Sequence, residues 1–153
     1  MNKQICAALT KSALMIGLAL GASAVSASSQ SYKHITAKIP FDFTVGDKTL
    51  PAGAYTVRQP YVNAPYLLSV RGEDRQAIAN GFTNAIQTNK AAAQTKLAFH
   101  KYGDRYFLSE ILFEGEDTGR QFLKSHAERE LNHGMARNSS RPEMAPIVVP
   151  NQP

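Results

Sequence analysis

The sequence predicts an all-β domain, mainly antiparallel, folded as a small sandwich or partly open barrel of six or seven strands with one short C-terminal helix. Three observations carry this. Residues 34–45 alternate apolar and polar side chains without a break. Further short apolar runs are separated by Gly, Pro and Asp turn signals. Near the C-terminus, a single capping signal opens a segment of helical spacing.

The N-terminal segment reads as an address and not as structure. Lys3 and Lys11 precede an uncharged, apolar run over Ala13–Val25, and Val25-Ser26-Ala27 places small side chains where signal peptidase cuts. Residues 1–27 are therefore expected to be a signal peptide, with Ala22-Ser23-Ala24 as a second cleavage site. The run is shorter than the roughly 20 residues that span a bilayer, so no stable membrane insertion is expected after cleavage. Cys6, the one cysteine, lies before the run and not after it, the wrong place for lipid attachment. Cleavage leaves a cysteine-free chain of residues 28–153, so stability must come from packing rather than from crosslinks. Export to the periplasm or the extracellular space follows from this reading.

Removing Lys3 and Lys11 changes the balance from 17 basic against 12 acidic residues to 15 against 12. That is ordinary solubility charge. It lacks the clustered basic stripe of a nucleic-acid binder, and nucleic acid is excluded as a partner.

In the mature chain, Ile35, Ala37, Ile39, Phe41, Phe43 and Val45 alternate with polar residues and Pro40. Successive strand side chains point to opposite faces, so this segment presents one apolar face to a core. Pro40 cannot donate to a ladder and predicts an edge or a bulge there. Gly46-Asp47-Lys48 and Leu50-Pro51-Ala52-Gly53 are turns, and Tyr55 and Val57 mark the next strand. Pro60 and Pro65 bracket a loop before a strand over Tyr66–Val70. Ile78, Phe82 and Ile86 fit a strand or a helix; Gly81, Thr83 and Asn84 favour the strand. Residues 88–94 form a polar loop. A strand over Thr95–Tyr102 then leads through Gly103-Asp104, a two-residue hairpin signal, into a return strand, Tyr106–Phe113, that is apolar on both faces. Phe122 and Leu123 are consistent with one more short strand. Ser125-His126-Ala127-Glu128 has capping-box spacing and predicts a helix over 126–133 ending at Gly134. The domain is drawn as 28–136, with 137–153, rich in proline, as a disordered tail.

Two blocks resemble a known group. Ile39-Pro40-Phe41-Asp42-Phe43-Thr44-Val45-Gly46 with Leu50-Pro51-Ala52-Gly53-Ala54-Tyr55-Thr56-Val57 is the first, and Tyr102-Gly103-Asp104-Arg105-Tyr106-Phe107-Leu108-Ser109-Glu110 lies in the second. Together they resemble small exported proteins found in numbers in soil acidobacteria. The resemblance covers about residues 35–132. It implies export and a β domain, and it carries over no functional residue.

No reactive constellation is legible. His34 and His100 stand alone in strands, and His126 and His133 are two helical turns apart, too far to share an ion without further ligands. No metal or cofactor is expected. Glu110 lies among apolar residues, where a carboxyl is a general-acid candidate, and Asp104 is a second carboxylate in the same hairpin. A two-residue loop sets Leu97 opposite Glu110, and a three-residue loop sets Ala98 there; neither is a catalytic partner. Tyr102, Arg105 and Tyr106 gather at the hairpin tip, a conceivable contact patch, though the tyrosines are better read as capping the core edge. There is no Gly-x-Ser-x-Gly elbow, and no residue is assigned a catalytic, cofactor or metal role. Asn138-Ser139-Ser140 is formally a glycosylation sequon and carries no weight in a bacterial tail. The expectation is a non-enzymatic binding or envelope-associated domain whose partner is a protein, a glycan or a small ligand. The alternatives are a periplasmic hydrolase using Glu110 or Asp104 and, weaker, an outer-membrane barrel, which needs longer strands.

Overall fold

Alternation over 34–45 buries five of the six residues it predicts: Ile35, Ala37, Ile39, Phe43 and Val45 are each at most 5% exposed, and Phe41 is partly buried against the core. The chain does this with two strands instead of one. In the computed structural model, which describes residues 34–150 apart from Arg75, Asn138 and Ser139, β1 spans His34–Ile39 and β2 spans Phe43–Val45. Pro40 falls in the break between them. It ends the first ladder because it brings no N–H, and the chain enters a different part of the sheet.

The remaining elements are β3 (Lys48–Leu50), β4 (Gly53–Arg58), β5 (Leu67–Gly72), β6 (Ile78–Gln87), β7 (Lys96–Tyr102), β8 (Arg105–Leu112), β9 (Thr118–Phe122), helix α1 (His126–Arg137) and β10 (Glu143–Val148). All-β architecture, mainly antiparallel, with one short helix, is what the sequence predicts. The described residues form ten strands, because the first predicted strand is split, Lys48–Leu50 between the two predicted turns pairs with β2, and the C-terminal segment forms a strand.

One half of the sheet runs β1-β4-β5-β6, every pair antiparallel. The other half is built on the β7–β8 hairpin. The far edge of β8 is shared: β2 lies parallel to Tyr106–Phe107, and β9 lies antiparallel to Glu110–Leu112. β6 joins the halves. Its residues Ile78–Phe82 pair with β5, and Thr83–Gln87 pair with β9. Strands that pass from one layer to another make the corners of such folds. The sheet stays open, with β1, β3 and β10 as its free edges.

The inner sides of both halves contribute to one apolar cluster, from Ile35, Tyr55 and Val70 on one half to Phe43, Leu97, Phe99 and Ile111 on the other. Phe43 meets Tyr55 edge-to-face at 5.0 Å, and Phe99 at 5.6 Å. Edge-to-face contact brings the positive ring edge to the negative ring face. Tyr55 keeps its hydroxyl satisfied by donating to the Pro51 carbonyl at 2.7 Å.

Within 137–153, expected as a disordered tail, residues Glu143–Val148 form a strand. α1 continues through Gly134 to Arg137, and β10 pairs antiparallel with β7. Ala145 and Ile147 pack against the core, and Val149 is 4% exposed. Pro146 is tolerated because β10 is an edge strand. The predicted signal peptide, 1–27, and most of the sequon lie outside the described residues.

Gly81 lies just before β6 changes partners, between Phe82 and Thr83. A Cβ there would lie 2.5 Å from the Phe122 ring and 3.2 Å from Val45. Gly81→Ala should therefore cost about 1–3 kcal/mol by overpacking, measured by urea denaturation, and Phe122→Leu in the same chain should recover part of it. Unchanged stability in the single variant would contradict the close approach.

Candidate functional site

The β7–β8 hairpin positions the most densely connected polar group. Gly103 adopts a positive φ of 60° in the two-residue loop Gly103–Asp104, so Tyr102 pairs with Arg105. Pairing continues to Phe99 opposite Leu108, then shifts, and Ala98 faces Glu110. Ser109 is the extra residue of a β-bulge. The loop is thus two residues long, yet Ala98 sits opposite Glu110, the pairing expected of a three-residue loop, because the bulge adds one residue to β8. Bulges re-aim side chains, and here the bulge re-sorts the strand: Leu108 and Ile111 join the core, while Phe107 pairs with His100 on the outer face. Ser109 is brought to His100 on that same face.

α1 covers this spot with a charged residue. Ser125 opens the helix as expected, its Oγ accepting from the Glu128 N–H at 3.2 Å. The reciprocal half of the capping box is replaced. Glu128, 4% exposed and the helix's one buried residue, turns its carboxyl to the sheet. Its Oε1 lies 2.6 Å from His100 Nδ1 and accepts from the Tyr102 hydroxyl at 3.3 Å. His100 Nε2 lies 3.1 Å from Ser109 Oγ. A carboxylate only accepts, so Nδ1 donates to it, and in the neutral ring Nε2 accepts from the serine. Tyr102 also packs edge-to-face on Phe107 at 5.6 Å, with the Arg105 guanidinium 5.3 Å from the other ring's centroid.

Ser109–His100–Glu128 has the connectivity of a serine–histidine–acid relay: hydroxyl to Nε2, Nδ1 to carboxylate. A nucleophile must also meet its substrate, and Ser109 is 2% exposed. What the arrangement does in this fold is fasten the helix. Buried polar groups persist when they are hydrogen-bonded, and here each member has a partner from another element. Sequence reasoning missed the group because His100 and Glu128 are 28 residues apart. The one available signal was the Glu of the capping box.

The other predicted candidates do not converge. Glu110 accepts from Gln121 Nε2 at 3.2 Å and has Ala98 across the hairpin. Asp104 is exposed in the turn. His34 and His133 are exposed, and His126 lies 3.6 Å from Glu130 on the open face of α1. No group of three metal-ligating side chains occurs among the described residues. The hairpin-tip trio is divided: Tyr102 is buried in the polar group, whereas Tyr106 stacks on Phe41 at 3.9 Å on the core side.

A second feature lies on the outward face of the first half-sheet. Leu68 and Val70 of β5 point into the core, which places Leu67, Ser69 and Arg71 outside. Register sets Ser69 beside Arg58, and Arg71 beside Thr56. A recess of about 470 Å³ lies there, lined by Thr56, Arg58, Arg71, Gly72 and Glu73. Further along the same face, Phe82 pairs with Leu67, and its ring lies nearly parallel to Tyr66, 6.2 Å away.

Comparison of the chain with family models, with curated proteins and with solved structures finds no match.

Two outcomes test the polar group. Glu128→Ala should cost about 1.5–3 kcal/mol, the range for a hydrogen bond to a charged group. It should also speed amide exchange in α1; a helix as protected as before would remove the fastening role. Burial first, and then the Glu128 carboxylate, push the Tyr102 phenol from 10.0 to about 12. Between those values the native state keeps a proton that the unfolded chain has lost. This part of the stability is therefore complete below pH 10 and falls as pH rises toward 12. Tyr102→Phe should flatten that decline in melts taken from pH 9 upward, leaving the part due to Tyr55, which burial also raises.

Proposed function

We propose that this chain is an exported, non-enzymatic binding domain that meets its ligand or partner on the outward face of the first half-sheet. The observation that carries the reading is the contrast between its two polar features. The group with reactive connectivity holds the helix and keeps its hydroxyl buried, with Ser109 2% exposed. The recess beside Arg58 and Arg71 is open and unoccupied by core side chains.

The same face supports binding in a second way. Tyr66 and Phe82 are 52% and 57% exposed, and Leu123, which is 53% exposed, bonds the Phe82 carbonyl through its N–H. Contiguous exposed apolar surface marks contact sites. A stacked aromatic pair beside arginines suits a small ligand, a glycan or a protein loop alike. Export rests on the N-terminal pattern, as does kinship with the acidobacterial proteins on the two blocks. An outer-membrane barrel fits poorly, because spanning strands need every edge paired and this sheet is open. Among the described residues, no helix is long and apolar enough to cross a membrane.

The Ser109–His100–Glu128 connectivity favours one second reading, a periplasmic hydrolase acting through Ser109 in place of Glu110 or Asp104. A fluorophosphonate probe separates the two. The binding reading expects no covalent adduct at Ser109 in the intact protein, and hydrolysis of simple esters no faster than by Ser109→Ala. Stoichiometric labelling at Ser109 would overturn it. Intact mass of the processed protein should begin at Ser28; a mass retaining residues 1–27 would remove export.

A further inference from the structure

We propose that the recess on the first half-sheet is an oxyanion site in which Arg71, assisted by Arg58, holds a carboxylate or phosphate group of the ligand. The inference rests on the binding reading above and gives it a ligand chemistry.

Three observations converge on it. First, the register gathers positive charge: Arg58 and Arg71 occupy diagonal positions on β4 and β5, within reach of one another on the same face. Neither arginine forms an ion pair with a described residue. Two neighbouring guanidiniums without an anion repel, and a bound oxyanion removes that cost. Second, an unanswered donor lines the recess and another lies next to it on the same strand. Among the described residues, Arg71 Nε and Ser69 Oγ are buried without a hydrogen-bond partner. Ser69 is 2% exposed although it faces outward, between Arg58 and Asn80 in the register. Buried polar groups are nearly always satisfied in native proteins, so a buried Nε beside an open recess marks a place where an acceptor belongs. Third, the chemistry matches: guanidinium presents a planar fork of donors that fits carboxylate and phosphate. The Thr56 hydroxyl lines the same recess, though it already shares a 3.2 Å contact with Thr36.

Glu73 also lines the recess and opposes an anion. It follows β5 directly, and its N–H is tied to the Ala54 carbonyl. It sets the selectivity: a single oxyanion engaging the arginine fork is favoured over a densely charged polyanion that must also pass Glu73.

The test is a titration of the full chain, purified as the cell processes it, followed by backbone amide shifts at constant ionic strength. The probes are inorganic phosphate, glucuronate and glucose. Phosphate and glucuronate should shift the amides of residues 56–58 and 69–73 saturably. Arg71→Met should weaken both by roughly 10-fold or more, as loss of a charge-assisted hydrogen bond does. Arg58→Met should weaken them less, and Phe82→Ala should leave phosphate binding unchanged. Phosphate alone saturating indicates a free anion as the source; tighter binding of glucuronate, lost in part in Phe82→Ala, indicates an acidic sugar. Glucose binding that Arg71→Met leaves intact, without anion binding, overturns the oxyanion site and spares the binding domain. No saturable shift with any probe, or equal shifts in Arg71→Met, overturns the site as well, whereas labelling of Ser109 overturns the binding reading itself.

Discussion

The structure depends on two of the three places where the chain leaves one half of the sheet and enters the other. One is Pro40, between β1 and β2; the other is inside β6, just past Gly81, where pairing passes from β5 to β9 between Phe82 and Thr83. Each solves the same problem: both halves must present apolar sides to one cluster while the backbone stays hydrogen-bonded. Pro40 ends a ladder because it has no N–H to give. Gly81 lets β6 run on without interruption because a side chain there would strike the Phe122 ring. With these corners in place, Phe43 reaches Tyr55 and Phe99, and aromatic contacts join the halves.

The β-bulge at Ser109 has the next largest consequence. One inserted residue turns a strand that reads as apolar on two faces into one with Leu108 and Ile111 in the core and Phe107 outside. It brings Ser109 to His100 and leaves a polar spot that a purely apolar helix would not cover well. α1 answers with Glu128, its one buried side chain. Burying a carboxylate is costly unless it is bonded, and the imidazole and phenol supply those bonds. The helix thus has a directional contact to the sheet at Glu128, its one fully buried side chain.

Connectivity alone would class Ser109, His100 and Glu128 with hydrolytic relays, but the serine hydroxyl is buried in the contact between helix and sheet, with Ser109 2% exposed. The outward face differs: among the described residues Arg71 Nε is a buried donor without an acceptor, and Phe82 is exposed. Function in a fold of this kind resides in such grafted surfaces, not in the sheet itself.

Much of the fold was legible. Alternation over 34–45 identified the core face; Gly103-Asp104 identified the hairpin; Ser125 identified the helix start. β10 was not, since Pro142, Pro146 and Pro150 obscure the inward set of Ala145, Ile147 and Val149. The candidate recess was scarcely legible at all: nothing local distinguishes Arg71 or Ser69 from the other polar residues of a strand and its closing turn. By itself the sequence determined which side chains face inward, because two-residue periodicity and turn chemistry are local properties of the backbone. Only the tertiary structure decided that Glu128 meets His100 and that Arg58 lies beside Ser69. Both depend on strand register, which long-range pairing and a single bulged residue set.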